Sequence, residues 1–123
     1  MDFLSTIAAL LEPVAPGGAF YGEMPKQPFP VDAGGVPLSW ITWQRITGAD
    51  NVDLDGASDL QATTIQVDIL AARITAAEAI KRAADAALAT LPQTVPLSSN
   101  DQWDDVVQMW RITREYSVWF TNS

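Results

Sequence analysis

Pro37-Leu-Ser-Trp-Ile-Thr-Trp-Gln-Arg-Ile-Thr47 is followed, past an acidic loop carrying Leu54-Asp55-Gly56, by a second alternating run, Ile65-Gln-Val-Asp-Ile69. Alternation at period two is the signature of a strand. The two runs flank a polar segment in which Asp-Gly offers turn geometry and a positive φ, so they read as a long β-hairpin spanning 38–47 and 62–70. In the first run Leu38, Trp40, Thr42, Gln44 and Ile46 share one face and Ser39, Ile41, Trp43, Arg45 and Thr47 the other. Neither face is cleanly polar. The strand is therefore expected to be covered on both sides, by helices on one and by a neighbouring subunit on the other.

Working outward, residues 75–91 carry the clearest helical pattern. Ile80, Ala84, Ala87, Leu88 and Leu91 form its buried stripe, Thr75 with Glu78 has capping-box spacing, and Pro92 stops it. At the other end, residues 2–11 read as a short amphipathic helix capped by Asp2. Phe3, Ile7, Leu10 and Leu11 lie on its apolar side, and Pro13 and Pro16 follow. Residues 19–23 are expected to form a short edge strand. Residues 24–37, with Pro25, Pro28, Pro30 and Pro37, read as an extended loop because proline removes the donors a central strand needs. In the last third, 95–97 is expected to be a short strand and 98–105 a polar turn. The run 106–120 reads as a long strand with Trp110, Ile112, Tyr116, Val118 and Phe120 on one face, interrupted by Arg114. The order is α-β-β-β-α-β-β, which predicts a single α+β domain over 1–123: a mostly antiparallel sheet around a long central hairpin, with two helices on one face.

Composition narrows the functions. The chain has 123 residues, no Cys and no His, so it lacks a disulfide framework, a Cys-based zinc site and the commonest general base. Asp and Glu outnumber Lys and Arg by 15 to 7, a net charge of −8. That balance provides no footprint for gripping nucleic-acid phosphates, and an anionic membrane would repel it. The N-terminal apolar stretch lacks a basic region and ends at Glu12-Pro13, unlike a signal peptide, so a soluble intracellular protein is expected.

The candidate sites are sparse. Asn51-x-Asp53-x-Asp55-Gly56 copies the first half of a calcium loop, but the twelfth position is Ala62 where a bidentate acid is needed. The same residues serve as a hairpin tip. Five Trp invite comparison with a sugar-stacking platform, yet Trp40, Trp43, Trp110 and Trp119 fit core or subunit-interface positions on strands. Trp103, among Asp101, Asp104 and Asp105, is the one expected at the surface. Arg111, Arg114 and Glu115 read as members of cross-strand or intersubunit ion pairs. No phosphate loop, dinucleotide fingerprint or nucleophile elbow is present, and neither catalysis nor a cofactor is expected.

Several segments together carry a resemblance: Phe20-Tyr-Gly-Glu-Met-Pro25, Ile41-Thr-Trp-Gln-Arg45, Leu54-Asp-Gly56, Gln66-Val-Asp68 and the closing Tyr116-Ser-Val-Trp-Phe120. The chain resembles the tail completion proteins of tailed bacteriophages and prophages. More loosely, it is similar to the tail terminators of long-tailed phages. It departs from that pattern in the proline-rich 24–37 and the Trp-rich 103–110. The resemblance implies a virion subunit, made in the bacterial cytoplasm, that assembles as a ring, usually hexameric. Such a ring caps the tail tube and joins it to the head connector, while DNA passes through without tight binding. The implied partners are the chain itself, the tail tube protein and the head-completion protein. For the ring contacts, the expected residues are Trp40, Trp43, Arg45, Asp53, Leu54, Asp55, Arg111, Arg114 and Trp119. Two alternatives stay open: within the resemblance, another phage neck protein, and from the residues, a small sugar- or peptide-binding module.

Overall fold

The computed structural model describes residues 3–22, 31–47, 60–91 and 93–121. Its elements run α1 (Phe3–Leu11), β1 (Ala19–Tyr21), β2 (Trp40–Thr47), β3 (Leu60–Ala71), α2 (Ile74–Leu88), β4 (Gln93–Asp104) and β5 (Met109–Thr121). The fold is α+β, in the order the sequence predicts. The strands form one sheet, β1-β2-β3-β5-β4, antiparallel throughout except that β1 runs parallel to β2. The tip of the β2–β3 hairpin, including the calcium-like Asn51–Gly56 stretch, lies outside the described residues, as do Asp2 and Pro92.

Both helices cover one face. Phe3, Ile7 and Leu11 of α1 and Ala77, Ile80, Ala84 and Leu88 of α2 pack on Ile41, Trp43, Ile65, Val67, Ile69, Ile112, Tyr116 and Val118. Alternate residues of β2, β3 and β5 thus enter one core, Arg45 and Arg114 on the same face excepted, as period-two side-chain placement requires. Gly17 seats the chain between α1 and β1: its N–H donates to Ser39 O at 2.6 Å. A Cβ there would come within 2.7 Å of that oxygen, so the approach is open to glycine alone.

The other face corrects an expectation. It is not an apolar surface awaiting a neighbour. A small cluster of Trp40, Leu70 and Met109, flanked by Phe20 and Val107, closes one end of it. The rest is mainly polar, with Thr42, Thr64, Gln66, Asp68, Arg111, Thr113, Glu115 and Ser117 half-buried, but Trp119 is half-buried on the same face and Ile46 and Val95 are exposed at its margin. Of the apolar residues that gave β2 its double-sided look, Trp40, Ile41 and Trp43 are covered within the chain itself, while Ile46 is exposed.

Two boundaries also differ from expectation. Residues 98–104 of the expected turn 98–105 extend β4 to a twelve-residue strand, while the turn lies at 105–108 and takes in 106–108 of the run expected to be strand. The Ser-Ser-Asn-Asp-Gln sequence is poor in strand formers, but an edge strand has only one paired side and needs no apolar alternation. Pairing with the strongly β-prone β5 overrides local preference. The turn is fixed by Asp104, whose Oδ1 accepts from the N–H groups of Val106 (2.9 Å) and Val107 (3.3 Å), and by Gln108 at φ 59. Helix α2 begins at Ile74 with Arg73 as N-cap and no side-chain cap bond, so Thr75 and Glu78 form no capping box. Glu78 instead pairs with Lys81 at 3.3 Å.

Candidate interaction surface

Strand β5 places Arg111 and Arg114 on opposite faces of the sheet. On the helix-free face, Arg111 Nε and Nη2 donate to Asp104 Oδ2 at 3.1 and 2.8 Å, and Nη1 donates to Asp68 Oδ2 at 3.0 Å. One guanidinium thereby ties β5 to both neighbours, β4 and β3. Gln66 Nε2 adds a bond to Asp68 Oδ2 at 3.3 Å. The Arg111 guanidinium, with the Val107 and Val106 N–H groups behind it, holds the Asp104 carboxyl below its ordinary 3.8, against the opposing pull of burial. Beside this network lies a shallow concavity of about 190 Å³ floored by Thr42, Gln44, Gln66, Asp68 and Arg111.

On the helix-covered face, Arg114 Nε and Nη2 donate to the two Asp85 oxygens at 3.1 and 2.8 Å, a fork-to-fork pair. The Tyr116 hydroxyl donates to Asp85 Oδ1 as well. Burial first, and the Asp85 carboxylate second, push the Tyr116 hydroxyl above its ordinary 10.0. This cluster bolts α2 to β5.

The expected contact residues therefore divide. Trp40 and Trp43 are interior, 1 % and 3 % exposed, and offer no surface to another subunit. Arg111 and Arg114 make ion pairs within the chain, as cross-strand and strand–helix contacts. Arg45 is exposed on β2, its guanidinium 5.9 Å from the centre of the Phe3 ring. Trp119 is half-buried on β5. Asp53, Leu54 and Asp55 lie outside the described residues. Trp103 is exposed as expected, at 42 %, and stacks edge-to-face on Trp110 at 5.5 Å.

The surface that the sequence pattern missed is β4. Residues 95–103 are all exposed, among them Val95, Leu97 and Trp103, and Val106 at the turn is 92 % exposed. Among the described residues strand β4 pairs with β5 alone, so its outer side there presents unpaired backbone donors and acceptors. Among the described residues, no group of three His, Cys, Asp or Glu side chains is placed to hold a metal. None of the described helices is long and apolar enough to cross a membrane. No protein-family profile matches the chain, and no curated protein matches it in sequence.

Proposed function

We propose that this protein is a structural subunit of a phage tail, a tail completion or terminator protein. It forms a ring on the end of the tail tube and joins the tube to the head connector. The observation that carries this reading is the twelve-residue edge strand β4, exposed over nearly its whole length and lined with Val95, Leu97 and Trp103. Beyond Pro96 its free edge, 98–104, is a template for pairing with another chain, and proteins that work alone usually cover or shorten such an edge. The α+β architecture with both helices on one face agrees with the subunit type the resemblance implies. The charge of −8 suits a wall that DNA passes without being held.

The test is complementation in the phage that carries the gene. Loss of the protein should yield heads and tails that fail to join, and the supplied protein should restore them. A variant with residues 50–58 replaced by a two-residue Asn-Gly turn sharpens it. Loop closure depends weakly on length, so stability should stay within about 1–2 kcal/mol while joining is lost, because contacts between stacked rings lie on protruding loops. Joined, infectious particles from a phage lacking the protein would refute the reading.

A further inference from the structure

The sheet ends in two unlike edges. At one, β4 carries Asp101, with Asp105 in the turn beyond it, and the chain has no Lys or Arg between Arg82 and Arg111. At the other, β1 carries the exposed Tyr21, stacked edge-to-face on Trp43 at 4.7 Å, with the exposed Arg45 two residues beyond on β2. We propose that β4 of one subunit pairs with β1 of the next copy, so that a single sheet continues from subunit to subunit. The inference rests on the ring reading and names the surfaces that would close it.

Three features of the chain converge on this pairing. The first is direction. Strand β1 runs with β2, and each of the next three steps across the sheet reverses, so β4 runs opposite to β1. Copies related by rotation about an axis near the strand direction thus bring the two edges together antiparallel, the more stable arrangement.

The second is the usable length of β4. Pro96 and the irregularity between Pro96 and Ser98 guard the start of the strand, since a proline and a bulge both spoil an edge for pairing. The stretch 98–104 has no such guard. It is long enough to receive the three-residue β1.

The third is register. Tyr21, Trp43, Arg114 and Ser99 are linked by successive cross-strand pairs and share one face, on which Asp101 and Trp103 also lie. Setting Tyr21 opposite the next copy's Trp103 joins two aromatic pairs into one row, Trp43–Tyr21 then Trp103–Trp110. The same register brings Arg45 level with Asp101 two strands away, about 10 Å between backbones, a span a guanidinium side chain can shorten. It offsets neighbouring subunits by four residues relative to the level line through Ser99, in the sense of the stagger that closed sheets require. Pairing like edges, β4 with β4, would instead set Asp101 and Asp105 of two copies close together.

The chain has no Cys, so paired cysteines read the contact without background. Tyr21→Cys and Trp103→Cys are introduced together, and the protein is oxidised mildly at millimolar concentration. Denaturing gels should then show a ladder of covalent multimers, because directly opposed strand residues meet disulfide geometry. Each single variant should stay monomeric. Efficient dimers from Trp103→Cys alone would show that like edges pair, and would overturn the proposal.

Sedimentation of the unmodified protein separates two failures. Oligomers without a ladder refute the edge pairing and leave the ring reading standing; neither oligomers nor a ladder, in the free protein and on tail tubes alike, refutes both. As a second measurement, Asp101→Arg should weaken association about tenfold, and adding Arg45→Asp should restore it, with melting temperatures unchanged in both. Equal weakening by either change without mutual rescue would show that these residues do not meet.

Discussion

Arg111 and Arg114 stand three residues apart on one strand, and each ends on a carboxylate, yet they have different jobs. Arg114 points into the covered side, where a single carboxylate, Asp85, receives both arms of the guanidinium and the Tyr116 hydroxyl. It fixes a helix to the sheet. Arg111 lies on the helix-free side, between Asp68 and Asp104, and fixes three strands to one another. A covered face needs directional polar contacts to set the angle of its helix. A free face needs them to hold a long hairpin straight, because no layer above it does so. The second arrangement keeps β4 extended with its outer edge exposed.

That contrast can be broken experimentally. Asp85→Ala should have the largest effect, about 2–3 kcal/mol of lost stability in urea unfolding, because it strands a mostly buried guanidinium and a buried hydroxyl at once. Arg111→Ala should cost less, about 1 kcal/mol, since Asp104 keeps the Val106 and Val107 N–H groups and Asp68 keeps Gln66, so neither carboxylate is left without a donor. Its distinctive sign should be faster amide exchange in β4 and the turn, with α2 unaffected. A loss equal to that of Asp85→Ala would show the two faces to be equivalent.

Acid should weaken the free face through Asp104. The folded-state value of Asp104 lies below its ordinary 3.8, so its contribution is fully present above that value. It is lost as pH falls from 3.8 through the folded-state value. Asp104→Asn should therefore flatten the pH dependence of stability below about pH 4 and leave the alkaline limb unchanged. The alkaline limb belongs to Tyr116. Its ionisation is delayed in the folded state, so stability should decline as pH rises above 10.0, and Tyr116→Phe should remove that decline. The smallest change in stability, within about 0.5 kcal/mol, is expected from Leu97→Lys on the exposed edge. A larger loss would show that β4 is part of the packed structure and not a free surface.

Much of this was legible in the sequence, for an identifiable reason. Strands β2 and β3 and both helices bury one face, so their apolar residues recur at fixed periods: Ile65, Val67 and Ile69 in β3, Phe3, Ile7 and Leu11 in α1. Strand β4 buries almost nothing, and its sequence therefore carries no period to read. Its existence is a consequence of β5, whose β-prone residues need partners on both sides. The arginines were readable as ion-pair formers. Their partners were not: Asp85 comes from a helix, and Asp104 meets Arg111 only once the turn is placed at 105–108. Trp40 and Trp43 misled in a different way. Aromatic residues on both faces of a strand suggest two covering layers, but a tryptophan is large enough to close one end of a sheet with help from Leu70 and Met109 alone.

The most direct test of the central claim is electron microscopy of tails from a phage lacking the gene, before and after addition of the purified protein. The account predicts a ring of subunits seated on one end of the tail tube after addition, and a bare tube before it. Protein that remains unattached, with tube ends identical in both samples, would contradict it.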